Sequence, residues 1–157
     1  MAATRPDRDD FVEEIGPVPT IFEPPPPDIQ REIERLNAAL DATIPRKTAQ
    51  NLLIATWNIR AFASLTRKWT ATVDDSPKRD LRGLLAIINI LSRFDVIAIQ
   101  EVKGDLRALR DAIHYLGDRW AFLMTDVNRG AAGNSERMAF LFDAQRLNLS
   151  GLACELV

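Results

Sequence analysis

Apolar residues recur along residues 29–40 at Ile29, Ile33, Leu36 and Leu40, in steps of four, three and four that mark one stripe of a helix. Asp28 stands where an N-cap belongs and Pro45 stops the run, so a helix is predicted over 29–42. A second stripe is formed by Leu81, Leu84, Leu85, Ile88 and Leu91, with Ser76-Pro77 upstream as a cap followed by proline at the first helical position. A third stripe, Leu106, Leu109, Ile113 and Leu116, lies between Asp105 as cap and Gly117 as terminator. Short apolar runs separate these helices. NLLIATWNI (51–59), Asp95 to Glu101, RWAFLMTDV (119–127), RMAFLFD (137–143) and LSGLACELV (149–157) each read as a strand. Residues 60–79 carry no clear period, and a connection that long is often functional. NRGAAGNSE (128–136) reads as a turn or loop.

The order mixes one crossover unit with hairpin-connected strands. It predicts an α/β fold, a sheet of mixed direction with helices on one side. Residues 1–27 are acidic and proline-rich, ending in four prolines, and read as a tail that cannot build a core. The predicted organisation is a tail over 1–27, a helical lead over 28–45 and the main unit over 46–157. The lead helix is expected to pack on that unit or to mediate association.

Composition changes this picture little. A formal net charge of −2 supplies no bulk basic field for nucleic acid, so any such partner must be held by a local patch. Arg60, Arg67, Lys68, Trp69 and Lys78 make one candidate, since basic groups beside an aromatic can meet a phosphate backbone and stack on a base. A single cysteine, Cys154, excludes an internal disulfide framework. The N-terminus shows no apolar signal core and no apolar run is long enough to span a bilayer, so a cytoplasmic, membrane-independent protein is expected.

The candidate chemistry sits at strand ends. FDVIAIQEV (94–102) runs four apolar residues into Gln100 and Glu101, and a strand seldom ends on a carboxylate without a partner. Asn58 ends the first strand in TWN, and Glu136 opens the strand after the glycine loop. Strand ends are where α/β sheets build sites. If the first two strands are neighbours, Asn58 and Glu101 share a cleft. An amide carbonyl and a carboxylate are oxygen ligands, suited to Mg2+, or Mn2+ in its place, rather than to structural zinc.

TWNI, IAIQEV and NSERMAFLFD, in that order, resemble the endonuclease/exonuclease/phosphatase superfamily, with its deoxyribonuclease I-like fold. The resemblance covers about residues 51–157, which correspond to the N-terminal half of the family domain. It implies half of a four-layer α/β/β/α sandwich, with Asn58 and Glu101 helping to bind the metal. It further implies that Lys103 contacts substrate phosphate, with Arg60 beside it, and that Glu136 supports a catalytic histidine. The implied activity is divalent-metal-dependent phosphodiester hydrolysis of the nuclease type. Phosphatase or phospholipase chemistry, or a non-catalytic binding module, are the alternatives.

The sequence departs from the family pattern in its histidines. His114 is the only one, and it falls in a helix beside Arg110 and Asp111, on a solvated face. The tyrosine that many members carry before the ER pair is replaced by Asn134-Ser135. The chain is therefore expected to be inactive by itself, and its exposed sheet edges are expected to favour self-association.

Overall fold

A computed structural model describes residues 18–126 and 136–151. Seven elements follow one another: α1 (Pro27–Thr43), β1 (Ile54–Phe62), α2 (Leu81–Leu91), β2 (Val96–Val102), α3 (Arg107–Leu116), β3 (Trp120–Met124) and β4 (Arg137–Asp143). The strands form one sheet in the order β1-β2-β4-β3. β1 and β2 are parallel, joined by a crossover through α2, while β2–β4 and β3–β4 are antiparallel. This is the mixed α/β sheet anticipated from the pattern, open rather than closed, with its helices on one face. The loop predicted over 128–136 falls almost wholly outside the described residues. So does most of the strand predicted over 149–157, and its described start at 149–151 is not extended.

The helices form because their apolar stripes have a sheet to cover. In α2, Leu81, Leu84, Leu85, Ile88 and Leu91 are all buried, as their spacing required. They meet Ile97 and Ile99 of β2, Ala139 and Leu141 of β4, and Ala108, Leu109 and Ala112 of α3 in one cluster. Burying side chains of this size contributes roughly 1.5–3 kcal/mol each. The cap expected at Ser76-Pro77 is displaced. α2 begins at Leu81, and Asp80 accepts from the Gly83 N–H at 2.8 Å and the Ala71 N–H at 2.9 Å. One carboxylate thus starts the helix and pins the preceding loop. Asp80→Ala should lower stability by about 1–2 kcal/mol in urea unfolding, and an unchanged midpoint would contradict this role.

Two other helix starts also differ from expectation. α1 starts at Pro27 with Pro26 as its cap, so Asp28 lies in the first turn, where its charge suits the helix dipole. Asp105 stands one residue before the α3 cap, Leu106, yet its carboxylate still accepts from the Arg107 N–H at 2.9 Å. Gly117 ends α3 with φ 89, a left-handed value that favours glycine.

α1 packs on α2, with Ile33 against the main core, a Glu32–Arg82 ion pair, and an Asp41–Arg93 pair just beyond the end of α2. The tail reading needs a correction where it is described. Ile21 is only 3% exposed within the main core, and Phe22 stacks on Tyr115 of α3. A single isoleucine needs no periodic segment around it, only an apolar crevice to enter.

The end of the sheet where β2 begins and β4 finishes is tied by buried charge that the sequence pattern did not reveal. Asp95 is fully buried; it accepts from the Leu53 N–H at 2.8 Å and lies 2.7 Å from Arg146 Nε and 3.5 Å from Lys47 Nζ. Asp143, equally buried, pairs with Arg119. Burial pushes the Asp143 carboxyl up, but Arg119 and the Gln145 N–H outweigh it and hold it below the ordinary carboxylate value.

Opposite the helices, β1 and β4 present Ile54, Met138 and Phe140 at 66%, 37% and 38% exposure. This face of the sheet is uncovered among the described residues.

Candidate metal site at the sheet edge

At the C-terminal ends of β1 and β2 the regular ladder breaks. Asn58 pairs with Gln100, and the next matched pair is Phe62 with Val102, so β1 carries two extra residues. Against β4, Ile99 matches Ala139 and Val102 matches Arg137, so β2 carries one. Bulges of this kind re-aim side chains and are frequent beside active sites. Burial records the slip. Ile97 and Ile99 point to the core, and regular alternation would send residue 101 after them, but Val102 is the buried residue instead.

Glu101 absorbs the slip with φ 60, and across the strand pair Ala61 adopts φ 48. Both are left-handed conformations that side-chain-bearing residues seldom occupy, and such strain gathers at functional sites. The outcome is geometric. Glu101 leaves the core side and its carboxylate accepts from the Ala61 N–H at 3.0 Å. That hydrogen bond, then the Asn58 side chain, hold the carboxyl below its ordinary value against a small opposing effect of burial, with Lys103 and Arg60 adding to the same direction. The glutamate is therefore a stable anion facing an amide.

Lys103 and Glu136 form an ion pair just beyond this point. All five residues singled out in the sequence, Asn58, Arg60, Glu101, Lys103 and Glu136, therefore stand at one end of the sheet. Glu136 touches Lys103 here. His114 is exposed on α3.

The basic run after β1 divides differently from expectation. Lys68 is paired with Asp75 at 2.8 Å, and Trp69 packs against the core. Lys68 and Thr72 together hold the Asp75 carboxyl well below its usual range. Both contacts hold the loop, while the Lys68 side chain remains 52% exposed in a surface ion pair. An anchor was needed for a loop with no strand or helix of its own, and these two residues supply it.

Among the described residues no group of three or more His, Cys, Asp or Glu side chains gathers to hold a metal. The fit of a metal to this edge therefore rests on two oxygen donors, one ionised. That is a poor set for zinc and a workable one for Mg2+, which keeps several waters and binds through one or two carboxylates plus substrate phosphate.

No helix among the described residues is long and apolar enough to cross a membrane. No curated protein matches the chain. The family model for the endonuclease/exonuclease/phosphatase family matches residues 55–149, well over half of the 157 residues, from within β1 to beyond β4. The match takes in the strand pair, the bulges and every residue of the site, and the chain belongs to the endonuclease/exonuclease/phosphatase family.

Proposed function

We propose that Asn58 and Glu101 hold a Mg2+ or Mn2+ ion at the edge of a phosphodiester hydrolase site of the nuclease type. The observation that carries this reading is the left-handed backbone at Glu101, which turns an ionised carboxylate out of the core and against Asn58. A divalent ion held there supplies Lewis-acid polarisation of a phosphoryl oxygen and charge stabilisation of the leaving oxygen. The chain's own groups do the rest of the positioning. Arg60 and Lys103 place positive charge beside the carboxylate, where it would favour a substrate phosphate. Glu136, paired with Lys103, limits where that ammonium can move.

Among the described residues no histidine is seen joined to this group to activate water; the chain's one histidine is exposed on α3, and general-base catalysis requires hydrogen-bond reach of the attacking water. This chain by itself is therefore expected to bind the metal without appreciable turnover. Mn2+ binding followed by electron paramagnetic resonance, alongside relaxation of supercoiled plasmid, tests both parts. Saturable Mn2+ binding with intact plasmid is the expected result. Absence of Mn2+ binding would remove the metal reading, and rapid Mg2+-dependent nicking would show that a base exists elsewhere.

A further inference from the structure

The connections leaving the C-terminal ends of β1 and β2 run against one another, the Ala108 N–H donating to the Ala63 carbonyl at 2.9 Å. Beside this contact lies a concavity of about 420 Å³ whose lining includes Arg67, Gly104, Arg107 and Arg110, together with Asp105 and Asp111. The three arginines are exposed, and none of them meets a carboxylate in the ion pairs seen among the described residues. Elsewhere Arg82, Arg93, Arg119 and Arg146 each have a carboxylate partner. The carboxylate of Asp105 is already turned to the backbone of α3, and Asp111 is half-buried. The lining is left with excess positive charge on planar, forked donors, the geometry that matches phosphate oxygens. In a chain of net negative charge this is a local basic patch.

Its position narrows the ligand. Gly104 follows Lys103 directly, so the concavity begins one residue beyond the site at the sheet edge. A small phosphate ester held at Glu101 would leave it empty, whereas an extended strand would carry a flanking phosphate into it. We infer that Arg67, Arg107 and Arg110 form a second phosphate site that takes the backbone of a nucleic-acid strand flanking the scissile bond. This assignment rests on the phosphodiester reading above for its orientation, but not for its test.

The test is binding of a short labelled single-stranded oligonucleotide, followed by fluorescence anisotropy in chelator across a range of salt. The proteins are the unaltered chain, Arg67→Ala/Arg107→Ala/Arg110→Ala, and the milder Arg107→Gln/Arg110→Gln. The triple variant should bind roughly tenfold more weakly at low salt. Its log–log salt slope should fall by roughly 0.7 to 2, at about 0.7 for each phosphate that is no longer neutralised. The double variant should lie between, and Glu34→Ala, exposed on α1, should bind as the unaltered chain does. Equal affinity and slope for triple variant and unaltered chain would overturn the assignment. So would inorganic phosphate displacing the oligonucleotide at matched phosphate concentration, which would mark a small-anion site. Failure of Mn2+ binding, by contrast, would strike only the metal reading, because no metal enters this measurement.

Discussion

Asp95→Ala should cost about 3–5 kcal/mol, a large part of the roughly 5–15 kcal/mol that holds a domain together. The carboxylate is fully buried and answers three groups at once: the Leu53 N–H, Arg146 and Lys47. Its removal leaves two cations without their counter-charge. Both are substantially covered, at 24% and 22% side-chain exposure, so water only partly replaces the lost partner. The Arg146 guanidinium also donates to the Thr48 and Asn51 carbonyls, so the segment before β1 loses its anchor too. Urea unfolding gives the comparison, with an exposed substitution, Glu34→Ala, as control. A loss below about 1 kcal/mol would place this cluster with ordinary surface ion pairs.

Glu101→Gln should leave the fold intact and weaken Mn2+ binding roughly 100-fold, the upper end of what loss of a ligand's supporting partner costs, since here a ligand itself loses its charge. Glutamine keeps the length of the side chain and an oxygen to accept from the Ala61 N–H, so the bulge is retained. Only the charge is lost. Asn58→Asp makes the opposite change at the same edge, adding a carboxylate, and should tighten Mn2+ while bringing two like charges together in its absence. If Glu101→Gln binds Mn2+ as the unaltered chain does, the ion sits elsewhere and the site must be redrawn.

Much of the fold was legible because its helices are one-sided. The stripe from Leu81 to Leu91 and the run from Arg137 to Asp143 each have a single arrangement that buries their apolar side. Strand starts and helix caps were less legible, because Asp80 captures two N–H groups that only the folded loop brings together. For the site, residue types and strand ends singled out Asn58 and Glu101 as candidates, but nothing local announced the slipped register that turns Glu101 round. A left-handed glutamate is not a propensity; it is imposed by neighbours on both sides. Asp95 and Asp143 gave a faint signal, carboxylates flanking apolar strands, but their partners Lys47, Arg119 and Arg146 are distant in sequence. For Lys68 and Trp69 composition could not distinguish a side chain that anchors a loop from one offered to a ligand, and only the fold shows their anchoring contacts.

The uncovered side of the sheet has a consequence for ligand access. Ile54, Thr56 and Asn58 alternate onto the same side of β1, so the greasy wall begun by Ile54 ends at the amide beside Glu101. On the metal reading proposed above, a body that roofs this wall as far as Asn58 would also narrow the mouth of the cation cleft, so covering the apolar side and closing the cleft would be one event.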